Sequence, residues 1–147
     1  MKKNVLILLC GILLAGCQTK ELRPAPLPED TKITKPSNNV PSEYSAFSGI
    51  WAGEWGGGLD GKIAVQVITE NGNARGIYAV GDEPSGRFRA EKFPFKGTIA
   101  NGVLSLSPFS NGANVKYELL DKSTLEGTYS INGGNTIGIF KKQKMGS

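Results

Sequence analysis

Apolar and polar residues follow three different rhythms along this chain. From Val5 to Leu14 the sequence is an unbroken apolar run. From residue 18 to 45 no hydrophobic period exists, and Pro24, Pro26, Pro28, Pro36 and Pro41 fall among Ser, Thr, Asn and mixed charges. From Ala46 to Lys142 the period is two, the mark of strands with one buried face. Trp51, Gly53 and Trp55 share one face of a first strand, and Ile63, Val65 and Val67 alternate with Ala64, Gln66 and Ile68 in a second. Arg75–Val80 is a third; Phe93, Phe95, Gly97 and Ile99 alternate with Pro94, Lys96 and Thr98 in a fourth. Val103–Ser107, Val115–Leu119, Leu125–Ile131 and Thr136–Lys141 complete the set. Asn-Gly pairs at 71–72, 101–102, 111–112 and 132–133 suit the positive-φ positions of tight hairpin turns. No window has a helical period. Short strands joined by short turns predict an all-β fold, a small antiparallel up-and-down β-barrel of about eight strands after a disordered tether.

The first seventeen residues carry a separate message. Lys2 and Lys3 form a basic start, and the apolar run that follows is too short for a bilayer span, which needs about 20 residues. Its length is that of a signal-peptide core. The run ends in Leu14-Ala15-Gly16-Cys17, which resembles the lipobox of bacterial lipoproteins. That resemblance implies cleavage after Gly16 and a diacylglycerol thioether on Cys17, so that membrane lipid is the first partner. Gln18 stands where an Asp tends to retain such proteins in the inner membrane of Gram-negative bacteria, which implies sorting to the outer membrane. Cys10 leaves with the signal and Cys17 is acylated, so the mature chain has no disulfide and its domain depends on packing alone.

The expected organisation is a signal over 1–16, a lipidated N-terminus and Pro-rich tether over 17–45, a barrel over 46–142 and a flexible tail over 143–147. A polar, Pro-rich segment cannot bury enough apolar surface to offset its ordering entropy. As a free tether, 18–45 reaches roughly 30 Å as a coil and at most about 90 Å extended. The domain and tail carry eleven Lys/Arg against nine Asp/Glu. This near balance gives no nucleic-acid footprint, so nucleic acid is not an expected partner.

Gly49-Ile50-Trp51 and the Gly-x-Tyr strands Gly76-Ile77-Tyr78 and Gly127-Thr128-Tyr129 make the region 47–142 resemble small meander barrels of the avidin and lipocalin kind. Trp51-Ala52-Gly53, Leu125–Tyr129 and Phe140-Lys141-Lys142 also resemble small bacterial β domains found alone or fused to hydrolases. Biotin binding does not carry over, because avidin-type pockets use tryptophans from later strands and both tryptophans here lie at the start.

Three stretches carry candidate binding chemistry. Trp51 and Trp55 could floor a sugar or apolar-ligand site, although large aromatics more often fill a core; Trp55, beside Gly56-Gly57-Gly58, is the better candidate for a rim. The loop Gly56–Gly61, with Asp60, lacks the Gly-Lys-Ser/Thr ending and the following helix of a phosphate loop. The stretch Gly81–Lys92, with Asp82, Glu83, Arg87 and Arg89, is the longest interruption of the meander. It reads either as a recognition loop or as an extension of the fourth strand. Asp82 and Glu83 have no EF-hand spacing.

With no histidine in the chain, His-based acid–base chemistry and His metal ligation are absent. Neither a cofactor, a metal nor a catalytic group is implied. The expected function is therefore non-enzymatic: a membrane-anchored envelope lipoprotein presenting a β-barrel binding or accessory domain. Its expected partner is an envelope protein, a glycan or a small apolar ligand. A lipid-anchored inhibitor of an exported hydrolase, or a purely structural envelope component, are the alternatives.

Overall fold

The computed structural model describes residues 19–145. The signal sequence and Cys17 lie outside them. A single helical turn, α1 (Ser42–Ser45), precedes eight strands: β1 (Gly49–Trp55), β2 (Leu59–Ile68), β3 (Asn73–Val80), β4 (Glu91–Ala100), β5 (Val103–Leu106), β6 (Asn114–Asp121), β7 (Thr124–Ile131) and β8 (Gly134–Lys142). Each strand pairs antiparallel with the next, and β8 returns to β1, closing the barrel in plain sequence order.

The alternation read from the sequence decides which residues turn inward. Trp51 pairs with Ile63, Ile63 with Tyr78, and Tyr78 with Phe93 around one side. Leu104 pairs with Tyr117, and Leu125 with Phe140, around the other. Trp51, Ile63, Leu104, Tyr117, Leu125 and Phe140 are all fully buried. An eight-stranded barrel is just wide enough for side chains to fill it, and these do. The two-residue turns at Asn101-Gly102 and Asn132-Gly133 hold positive φ at both positions (52° and 76°; 49° and 78°), the geometry whose twist matches a hairpin.

The two ends of the barrel differ. At one end the chain enters through α1, and Val40, Phe47 and Trp51 plug the opening. The Trp51 indole N–H donates to the Phe47 carbonyl at 2.9 Å, and the Lys142 ammonium lies 4.9 Å from the Trp51 ring. The other end carries the β1–β2, β3–β4, β5–β6 and β7–β8 connections.

The segment expected to be a free tether is docked along much of its described length. It runs as a strap down the outside of β2. The Ala25 N–H donates to the Asp60 carboxylate at 2.6 Å, and the Lys62 ammonium to the Ala25 carbonyl at 3.1 Å. Lower down, the Thr34 N–H bonds the Gln66 carbonyl at 2.8 Å and the Gln66 amide returns a bond to the Lys32 carbonyl at 3.0 Å. Ala25 is buried, as are Ala64 and Ala79 on the barrel wall. A Cβ on Gly81 would meet the Arg23 carbonyl at 2.8 Å, so glycine is what lets the strap pass. Its contacts are mostly hydrogen bonds between backbone and side chains, which need no hydrophobic period. Gln143, expected to begin a flexible tail, still donates its N–H to the Ile50 carbonyl at 2.8 Å.

Candidate functional site

The two loops singled out in the sequence lie side by side at the end opposite α1. A Cβ placed on Gly58 would lie 3.9 Å from Pro84 Cγ, which puts the Gly56–Gly58 turn against the 81–90 connection. β4 begins at Glu91, so Arg87, Phe88, Arg89 and Ala90 belong to the loop and not to an extended strand.

Asp82 organises that loop. Its side chain is 8 % exposed, and its carboxylate accepts from the Arg23 N–H (3.0 Å), the Arg23 guanidinium (2.9 Å at Nη2) and the Ala90 N–H (2.8 Å). The Arg23 guanidinium and the two backbone N–H groups hold this carboxyl far below the usual carboxylate range. Asp82 thereby ties the strap to the start of the loop, and the start of the loop to its end. Asp60 likewise spends one carboxylate oxygen on the strap. Both are fasteners between the strap and the barrel.

Glu83 staples the middle of the loop. It accepts from the Ser85 hydroxyl, from the Arg87 N–H at 3.1 Å and from the Arg87 guanidinium at 3.4 Å, and the Ser85 bond leads in lowering its pKa. What remains outward is the returning limb: Arg87, Phe88 and Arg89 are all exposed, with the Phe88 carbonyl accepting from the Glu83 N–H at 3.2 Å, and Phe88 is an apolar ring between two cations.

Trp55 is placed differently from the rim position considered for it. It is 3 % exposed and its indole fills a slot inside the barrel. Cβ atoms on Gly61, Gly127 and Gly138 would approach the ring to 2.9, 2.7 and 3.0 Å. Glycines on three strands thus make room for one tryptophan, which packs edge-on to Phe140 at 5.0 Å between centroids. In this state Trp55 offers no stacking floor. Its indole N–H and the Tyr117 hydroxyl are both buried without a hydrogen-bond partner. Burial also pushes the Tyr78 and Tyr117 hydroxyls well above their ordinary pKa.

A groove of about 810 Å³ opens on the barrel wall. Lys32, Thr34, Gln66 and Arg75 lie along it, with Phe93, Pro94, Lys96 and Phe109. It exists because β5 has four residues against ten in β4. Pairing between them starts at Gly97, so the Glu91–Lys96 half of β4 pairs with β3 on one side and has no strand on the other. Sequence reasoning missed this groove and the strap with it. Pro94 in mid-strand was the available signal, because proline is confined to unpaired strand edges. Among the described residues no three potential metal ligands of the His, Cys, Asp and Glu type come together, and no helix is long and apolar enough to cross a membrane.

These features define a closed eight-stranded up-and-down barrel with one plugged end and one looped end. No family model and no curated protein matches the chain. Among solved structures it is similar to a protein described as the de novo design of a fluorescence-activating β-barrel, with a TM-score of 0.52 and 16 % identity over 71 % of this chain and all of the other. That likeness concerns the fold alone.

Proposed function

We propose that this protein is a lipid-anchored envelope lipoprotein whose barrel is a non-enzymatic binding module, and that the looped end meets its partner. The observation that carries the reading is the build of the 81–90 loop. Asp82 and Glu83 brace its base and middle, while Arg87, Phe88 and Arg89 stand exposed on its returning limb. A braced loop loses little entropy on association, and aromatic and Arg side chains are the residues that most often anchor interfaces. The filled barrel favours a macromolecular partner over a small apolar ligand held inside. The lipobox residues Leu14–Cys17 support the anchor.

The second reading, inhibition of an exported hydrolase, draws on the same exposed residues, since an apolar ring on a braced loop suits insertion into a cleft. A photo-crosslinking residue at Phe88, compared in cells with one at Lys122 in the β6–β7 turn, tests the proposal. Adducts to a defined protein from position 88 alone support it, and equal labelling from both ends overturns it. Separately, mass spectrometry should find Cys17 acylated, and a chain that continues through Gly16 without lipid removes the anchor from the proposal.

A further inference from the structure

We propose that the groove on the barrel wall is a second binding site, distinct from the looped end, for a compact anion with a flat apolar body. Its charge pattern carries the argument. Arg75 and Lys96 are directly opposed cross-strand partners on the outside of β3 and β4. Like charges in that relationship are destabilising, and a sheet under no other demand relieves them with a carboxylate. Here none lines the groove. Among the described residues, the ion pairs are Arg23–Asp82 and Glu83–Arg87, which leave Arg75, Lys96 and Lys32 without an acidic partner.

Lys32 is the third cation, and the strap delivers it. The paired bonds between Gln66 and the backbone of Lys32 and Thr34 hold that part of the strap against the rim. Three cations thus border a cleft whose apolar surface comes from Pro94 on their own face and, along the unpaired edge of β4, from Phe93 and Phe109, which pack towards the barrel interior. Phe93 and Phe109 pack with centroids 6.0 Å apart, so the apolar surface is aromatic. An anionic head placed between Arg75 and Lys96 turns their repulsion into attraction on both sides. A planar body then lies on the aromatic wall, where stacking and cation–π contacts with the guanidinium add to it. The volume lies within the range of small-molecule sites. This proposal does not depend on the loop reading.

The test titrates naphthalene-2-sulfonate into the full chain by calorimetry, with empty detergent micelles as blank and 2-naphthalenemethanol as the neutral comparison. One saturable site is expected, with the neutral analogue weaker by about tenfold or more. Lys96→Glu should also weaken binding by about tenfold or more, since it supplies Arg75 with an internal counter-ion. That variant replaces a repulsion by an ion pair, so its melting temperature should hold or rise. Lys116→Gln, an exposed lysine outside the groove, should bind like the wild type. Absence of saturable binding up to about 10 mM, or equal binding by Lys96→Glu, overturns the proposal.

Discussion

Asp82 and Arg23 stand 59 residues apart in the sequence and meet in a 2.9 Å ion pair. The same carboxylate holds Ala90, so one side chain fastens the strap and closes the base of the exposed loop. Arg23→Ala should free the upper strap while leaving the barrel closed. Hydrogen exchange is expected to rise at Ala25 and Asp82 and to stay unchanged at the β6–β7 pairing. Faster exchange throughout the sheet would mean that the strap is part of the cooperative core.

The same pair sets an acid limit. Asp82 is held far below the carboxylate range in the folded chain, against about 3.9 for a free aspartate. A depressed pKa stabilises above the unfolded value, and the contribution fades as pH falls below about 4 towards the folded value. Strap protection should be constant from neutral pH to about 4 and decline below it. Asp82→Asn, which removes the titrating group, should show weak protection at every pH in that range.

Gly127 makes room for Trp55, whose ring a Cβ would approach to 2.7 Å. Gly127→Ala is expected to destabilise by about 1–3 kcal/mol through overpacking. Trp51→Ala removes a fully buried aromatic and should cost about 3–5 kcal/mol. Denaturant midpoints measure both. An unchanged midpoint for Gly127→Ala would show that the slot is looser than its geometry.

Tyr117 makes the opposite prediction. Its hydroxyl is buried without a partner, and such a group contributes a desolvation cost rather than a bond. Tyr117→Phe should therefore be neutral or stabilising by about 1 kcal/mol. Burial also raises the pKa of this hydroxyl and of Tyr78. A raised pKa stabilises below the unfolded value of about 10 and loses that contribution as pH climbs beyond it. The tyrosinate absorbance of Tyr78 and Tyr117 should appear together with loss of structure. Early titration of Tyr78 and Tyr117 in a folded barrel would contradict their burial.

The loop is separable from the fold. Residues 84–89 lie between Asp82 and Ala90, outside every strand, so a short Gly-Ser replacement there should keep a cooperative unfolding transition. Crosslinking from the looped end should disappear in the same variant. Unfolding on replacement would show that the loop supports the barrel.

The barrel itself was legible because alternation and Asn-Gly turns are local signals, and strands such as β4 and β7 begin and end close to where those signals put them. The candidate site was only partly legible. Proximity of Gly58 to Pro84 follows once strand order is known, since connections after β1 and β3 share an end. The roles of Asp60 and Asp82 were not legible, because their partners lie in a proline-rich segment without periodicity. For Trp55 the core position was the commoner expectation for a large aromatic, but its slot was not legible: the glycines that admit it stand on β2, β7 and β8, and only closure of the barrel brings them around one ring.

The direction of the strap has a consequence for geometry at the bilayer. Its first fastening, Arg23, is at the looped end, and six residue steps separate it from Cys17. A chain that short spans about 20 Å at most. If Cys17 carries the proposed lipid, the barrel would not stand off on a long stalk but would hang close, with loop 81–90 near the headgroups and the plugged end pointing away. On the proposed anchor, a partner for that loop would be met by lateral diffusion, as a co-resident of the same leaflet, and the encounter would become a search in two dimensions.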